Sequence, residues 1–231
     1  MKTLGIDGSR NGWISAIFDD GAFVSWVNTS ELPRVEADFI WIDMPIGIPD
    51  ARAYPRQTEG LARKLLPGRA SSVFSVPCRE VLDVETYAEA NELHRELTGK
   101  GLSKQSWYLF NKMIEVDKAV REGMPLCEAH PEVVLAGLAG GSMKHSKKTL
   151  EGQRERMDVM TTYSERAKEH IELGTRQFMR KDVAVDDLMD AYCLGLAASL
   201  NDLPLKRVNA REEVDRYGTA MNMVYREGGL R

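Results

Sequence analysis

Four acidic positions stand where short apolar runs stop: Asp7 after Thr3-Leu-Gly-Ile6, Asp43 after Phe39-Ile-Trp-Ile42, Glu128 after Leu126-Cys127, and the pair Asp186-Asp187 after Val183-Ala-Val185. If those runs are strands, or lead into a helix, their carboxylates gather at one edge of a sheet. Like charges gathered that way repel unless a cation, a proton or water relieves them. Oxygen-only ligands suit the hard ions Mg²⁺ or Mn²⁺ and exclude a soft-metal site. Asp190 lies three residues from Asp187 and four from Asp186, on one helical face, where like charges cost a little stability unless a cation reverses the sign. Asp7, Asp43, Asp187 and Asp190 are the expected metal ligands, and Asp7, Asp43, Glu128 and Asp187 the expected catalytic carboxylates. Each has a purely structural counterpart. Asp7 beside Gly8 and Asp43 before Met44-Pro45 suit turns, and acid at the start of a helix caps free amides and complements the dipole. Asp186 is the expected cap.

Two basic segments flank these positions. From Arg52 to Arg79 six cationic residues face only Glu59, and Lys144, Lys147, Lys148, Arg154 and Arg156 face Glu151 and Glu155. A solvated face is the usual meaning of a charge run, but in a chain of net charge -4 such segments suit the rim of a site for an anion. Arg69, Ser71, Ser72 and Arg79 are the expected phosphate contacts. Glu128 and His130, two apart, are expected on one face of a strand, with His130 either a substrate contact or a hydrogen-bonded structural residue.

The elements that must position these groups follow from the pattern. Leu4–Asp7, Trp13–Phe18 and Phe23–Val27 read as strands, with Asp19-Asp20-Gly21 supplying hairpin chemistry. Phe39–Ile42 is apolar without alternation, as in a strand covered on both faces. Prolines and glycine in Met44–Pro49 then stop regular structure. From Arg52 to about Gly123 the periodicity is helical, with one helix in Val84–Leu97 and another in Ser106–Val120. Pro67–Pro77 is expected to be an ordered loop or short extended piece. Pro125–Glu128 is a fifth short strand and a helix starts near Pro131. Residues 151 to 180 are helical and polar, and an apolar helix runs from Val185. Three antiparallel strands followed by parallel strands four and five predict an α/β, ribonuclease H-like mixed sheet of order 3-2-1-4-5, flanked by helices. Residues 1–231 are expected to form a single domain, with 50–124 a helical insertion packed on the same core. Sites in such sheets lie at the carboxyl ends of the parallel strands.

Gly5–Trp13, Ile42–Pro49, Arg69–Arg79, Ser103–Trp107, Glu128–Glu132 and Asp186–Ala191, in that order over nearly the whole chain, resemble the domain-of-unknown-function family numbered 429. That family is described as a predicted nuclease of ribonuclease H fold. The resemblance implies that Asp7, Asp43 and Asp187 carry the superfamily's acidic roles. Two ions about 3.5–4 Å apart would support in-line hydrolysis of a phosphodiester with no nucleophilic side chain, nearby Arg or Lys neutralising the growing charge.

A nucleic acid substrate is therefore expected, although no stacking aromatic cluster or groove-reading helix selects DNA or RNA. Asp7-Gly8 after a first strand also suits the phosphate loop of an actin-like ATPase or sugar kinase. The strand-rich segment occurs once, however, and Gly228-Gly229 is a weak counterpart of an adenosine segment. A non-catalytic nucleotide- or protein-binding module is the third reading. The chain of 231 residues, 43% hydrophobic and 29% charged, can bury a sizeable core and has no apolar run of about 18 residues to span a bilayer. A start that runs directly into a strand makes the cytoplasm the expected location. Cys78, Cys127 and Cys193 form neither a disulfide framework nor a zinc ribbon.

Overall fold

In a computed structural model describing residues 1–229, β1 (Lys2–Ser9), β2 (Gly12–Asp19) and β3 (Ala22–Thr29) form an antiparallel meander. Asp20 and Gly21, both at positive φ (45° and 78°), close its second turn, the backbone twist that an Asp-Gly pair tolerates best. β4 (Phe39–Ile42) lies parallel beside β1, with Ile6 opposite Ile42, and β5 (Leu126–Glu128) lies parallel beside β4, with Ile42 opposite Glu128. The sheet order is β3-β2-β1-β4-β5, so the chain has the mixed α/β sheet that the pattern predicts.

Between β4 and β5 run α1 (Gln57–Leu65), α2 (Tyr87–Thr98), α3 (Lys104–Tyr108) and α4 (Phe110–Arg121). α2 and α4 of this segment form one of the two layers that bury the sheet, while α1 packs through Ala62 and Leu66 against Val133 and Ala136 of the later helix at 131–139. Leu4, Ile6, Ile40 and Ile42 pack on one face against Ala90 of α2 and Phe110, Met113 and Val116 of α4. The opposite face carries α5 (Pro131–Ala139), α6 (Leu150–Tyr163), α7 (Ala167–Gln177) and α8 (Val185–Ser199), whose apolar side chains meet Ile14, Phe18 and Trp41. The polar helical stretch expected over 151 to 180 is thus two helices, parted at Ser164–Arg166. The Pro67–Pro77 segment holds one 3₁₀ turn at Ala70–Ser72. A hairpin of β6 (Leu205–Arg207) and β7 (Val224–Arg226) follows α8. No helix among the described residues is long and apolar enough to cross a membrane.

How α8 sits on β1 decides where its acidic first turns point. A Cβ on Gly5 would lie 2.1 Å from both the Ala191 carbonyl oxygen and the Gly195 nitrogen, so strand and helix touch backbone to backbone. Thr3 Oγ1 adds a hydrogen bond of 3.2 Å to the Gly195 carbonyl. Gly5→Ala cannot be absorbed by a flexible side chain and must push α8 away. We expect a loss of about 2–3 kcal/mol, in the range for overpacked cores, seen as a lower urea midpoint at unchanged slope. An unchanged midpoint would show that the helix shifts freely and that the close approach does not set its position.

Candidate active site

Asp7 lies in β1 just past the last residue paired with β4, opposite Ile14 of β2, and Asp43 follows β4 directly, its N–H donating to the Ile6 carbonyl at 2.9 Å to extend the parallel pairing by one residue. Both side chains therefore leave the sheet at one edge, on the face covered by α8. From α8 come Asp187, in the first turn, and Asp190, one turn further and 4% exposed. α5 contributes Glu132, 3% exposed. His130 is the N-cap of α5 and accepts the Glu132 N–H through Nδ1 at 3.2 Å, which fixes the first turn on which Glu132 stands. These five carboxylates line one cleft of about 710 Å³, whose rim carries Arg10, Arg69, Lys112, Lys147 and Lys148.

Burial and crowding both act on the acids. Asp7 is held well above the usual carboxylate range by burial first, then by repulsion from Asp43 and Asp190, with Lys147 opposing. Asp43 is raised by burial against the pull of His130 and Lys147. Asp190 is pushed up to about 6 by burial, although Lys147 pulls it down. Lys147 donates to Asp190 Oδ2 at 2.5 Å. Burial works against its charge, yet Asp190, Asp7 and Asp43 together hold its pKa above the ordinary lysine value.

A carboxyl group raised in the folded state favours folding at low pH, and that contribution is lost as pH rises through the folded value. With Asp190 raised from the ordinary aspartate value to about 6 and Asp7 and Asp43 also raised, the metal-free protein is expected to lose thermal stability as pH rises from about 4 through 6. Millimolar Mg²⁺ or Mn²⁺ should restore it at pH 7. Melting curves in chelator across that window check the sign, and a melting temperature that climbs steadily would refute it.

Not every expected residue reaches the cleft. Asp7, Asp43, Asp187, Asp190, Arg69, Ser71, Ser72 and His130 do. Glu128 does not: its two oxygens accept from Arg56 Nη2 at 2.7 Å and Nη1 at 2.9 Å, and Oε2 also from the Ile46 N–H at 2.7 Å. It is a buried structural anchor on the other face of the sheet. Arg79 is likewise absent, held in a fork by Asp117 at 2.8 Å and by Asp215 at 2.7 Å. The roles within α8 are also reassigned. Asp187, not Asp186, reaches back to the Ala184 N–H at 3.0 Å as the capping residue, leaving its other oxygen toward the cleft.

Glu132, Lys147, Lys148, Lys112 and Arg10 join the lining unexpected. Glu132 closes the Glu128-Ala-His-Pro-Glu132 motif, and Lys147 and Lys148 belong to the second basic segment, so the signals were motif membership and local charge. Glu132 Oε1 accepts from Arg156 Nε at 2.9 Å and Nη2 at 2.5 Å. Its Oε2 is buried without a hydrogen-bond partner, as is Arg69 Nε, 3.9 Å away. The two face each other as a loose ion pair in which neither atom makes a hydrogen bond, a pair that a ligand entering the cleft could open. The oxygen donors fit a hard divalent ion, yet among the described residues no three such groups already stand close enough to hold one. Carboxylate reorientation, chiefly release of Asp190 from Lys147, would have to complete the set.

The family model described as "Protein of unknown function (DUF429)" matches residues 5–202. No curated protein and no solved structure matches the chain.

Proposed function

The chain belongs to the DUF429 family, and we propose that it is a divalent-metal-dependent nuclease that hydrolyses phosphodiester bonds at the Asp7, Asp43 and Asp190 cluster. The observation that carries this reading is the cleft itself. Buried acids with raised pKa values stand at the carboxyl ends of two parallel strands and on the helix that crosses them, with a Glu132 oxygen among them that makes no hydrogen bond and cationic side chains at the rim. The sheet order supports a ribonuclease H-like assignment, which places a site at that same edge.

Asp7, Asp43 and Asp190 would hold Mg²⁺ or Mn²⁺, with Asp187 reached by its free oxygen. The ion would supply Lewis-acid polarisation and water activation. The chain supplies the remainder. Arg69, with its unpartnered Nε, and Lys148 bind the substrate phosphate and oppose charge that grows on it. Ser71 and Ser72 offer hydroxyl donors to the same phosphate, and the Ser72 carbonyl, 3.3 Å from His130 Nε2, ties their turn to the start of α5. Lys112 is spent locally, hydrogen-bonded to the Gly12 carbonyl and stacked over Trp13 at 4.2 Å, and so fixes the β1–β2 turn beside Asp7.

Labelled single-stranded, duplex, hybrid and branched nucleic acids, incubated at low salt with Mg²⁺ or Mn²⁺ and with chelator, test the reading. Metal-dependent product on at least one substrate is expected. No product on any of them, together with no ion binding in calorimetry, would end it. The Lys147–Asp190 pair and the lack of a ready three-carboxylate group among the described residues favour one second reading. On that reading the cleft is a non-catalytic binding site neutralised by its own lysine, and the same experiment would show ligand binding indifferent to divalent ions.

A further inference from the structure

We propose that Tyr108 is a base-stacking platform at the edge of the cleft, so that the substrate the cleft accepts is an unpaired stretch of a single strand. The inference rests on the phosphodiester reading above and narrows its substrate class, which charge alone leaves open.

The first ground is where the ring stands. Tyr108 is 76% exposed, and of the exposed large apolar side chains among the described residues it alone lines the carboxylate cleft. Its neighbours along the chain turn inward instead: Phe110 is buried, and Trp107 packs edge-on against it at 4.9 Å and against Tyr87 at 6.1 Å. The other exposed tyrosine, Tyr217, lines a different pocket, and the guanidinium groups of Arg79 and Arg121 cover its ring at 4.8 and 4.9 Å. The Tyr108 ring is left open to whatever enters the cleft.

The second ground is how the ring is held. Ser103 Oγ accepts the Ser106 N–H at 3.0 Å to cap α3, and Ser106 Oγ donates to the Ser75 carbonyl at 3.0 Å. Ser75 Oγ accepts from Arg63 Nη2 at 2.9 Å, while Arg63 Nε donates to the Val73 carbonyl at 3.1 Å. The loop that carries Ser71 and Ser72 is thereby tied to the helix that carries Tyr108. The Ser103–Trp107 motif, which takes no part in the phosphate chemistry, thus couples the ring to the phosphate contacts. On the other side, Gln105, Tyr108 and Lys112 recur at spacings of three and four, as on one helical face, and all three line the cleft. A Cβ on Gly8 would lie 3.2 Å from Lys112 Cδ and Cε. The ring therefore stands about one helical turn, roughly 6 Å of rise, from a side chain that rests on the residue next to Asp7.

The third ground is the chemistry of the partner. Arg10, Arg69 and Lys148 at the rim suit phosphates, but a phosphate read alone fits any strand. An open tyrosine ring adds a π face, which stacks on a nucleobase whatever its identity. In a duplex those faces are covered by the neighbouring base pairs, so only an unpaired base reaches the ring. The ring does not distinguish DNA from RNA.

The test is binding of end-labelled strands to the full chain by fluorescence anisotropy, at low salt and in chelator so that nothing is cleaved. The probes are a single-stranded oligothymidylate, the same strand built from abasic nucleotides, and a blunt duplex of equal length. We expect the parent to hold the oligothymidylate more tightly than either other probe. Tyr108→Ala should weaken that binding about 5-fold or more, the lower end of what one stacked base contributes, while Tyr108→Phe and Tyr108→Trp stay within about twofold of the parent. On the abasic strand Tyr108→Ala and the parent should bind alike, because the ring's partner is missing there. With Mg²⁺ present the same loss should appear in KM and not in kcat. Melting curves confirm that each variant is folded. Oligothymidylate binding and KM unchanged in Tyr108→Ala, an equal loss on all three probes, or Tyr108→Phe as weak as Tyr108→Ala would overturn the inference while leaving the nuclease reading intact. A parent that prefers the duplex would do the same. Neither binding nor cleavage of any probe by the parent would remove the nuclease reading itself, and this inference with it.

Discussion

Asp7→Asn is expected to lower metal-dependent cleavage by about 10²–10³-fold, the usual cost of one electrostatic group at a reacting centre, while raising the melting temperature of the metal-free protein. The two effects have one cause. Asp7 is buried and faces Asp43 and Asp190, and its pKa stands well above the ordinary carboxylate range, so its ionised form is a net strain on the fold at neutral pH. Asparagine keeps the shape and the local turn, because its amide oxygen can still accept the Gly8 N–H that Asp7 Oδ1 takes at 2.7 Å. What it loses is the negative charge, which only an incoming cation needs. Asp43→Asn should behave the same way, since burial also raises Asp43. Each would gain a few degrees at most, as about 1 kcal/mol moves the midpoint of a chain this size by roughly 2–4 °C. A turn residue with no site role gives the opposite pattern, unchanged cleavage with equal or lower stability, and that result would strike Asp7 from the site.

Much of the architecture that sets up this conflict could be read from the chain because the relevant signals are local. β2 and β3 are bounded by an Asp-Gly turn, β4 is apolar throughout, and Asp7 and Asp43 each follow an apolar run. The direction of Glu128, away from the cleft, also had a local signal. Ile6, Ile42 and Glu128 are register partners, and side chains alternate along a strand. Ile6 and Ile42 are buried against the insertion helices, so Glu128 must point there too, away from Asp7 and Asp43, which are one residue out of phase with those isoleucines. Matching the parity of the three strands would have removed Glu128 from the carboxylate set. Arg79 had no such signal, because its partner Asp215 lies in the C-terminal segment, 136 residues away. Lys147 was visible only as one charge among several. Whether a lysine in a loop is solvated or delivered to an acid depends on long-range packing, here the α6 contacts that fix its backbone.

The largest stability effect should fall outside the cleft, at Arg56. Its side chain is completely buried, forks between Glu59 and Glu128, and donates from Nη1 to the Ile46 and Gly47 carbonyls at 2.8 and 2.9 Å. One guanidinium thereby ties α1, the strand end at β5 and the loop after β4 into a single cluster. Replacing it with methionine preserves bulk but strands two buried carboxylates and two carbonyls. Losing one partner of a buried pair costs about 3–5 kcal/mol, or roughly 6–20 °C in a chain of this size, read by thermal melting at neutral pH. Glu128→Gln should cost less, because Arg56 keeps Glu59 as a charged partner and one amide oxygen still accepts, although the amide NH2 must then face an N–H of Arg56 or Ile46. The same variant decides which role Glu128 holds. If it anchors the fold, the folded Glu128→Gln protein should cleave within about twofold of the parent and bind the same number of ions, the small change expected away from the reacting groups. Cleavage abolished at an unchanged melting temperature would return Glu128 to the reaction and break the parity argument that excludes it. Loss of stability with cleavage retained would instead separate the two acidic sets physically: one neutralised permanently by an arginine to hold the loop after β4, the other left partly unneutralised so that a metal ion can enter.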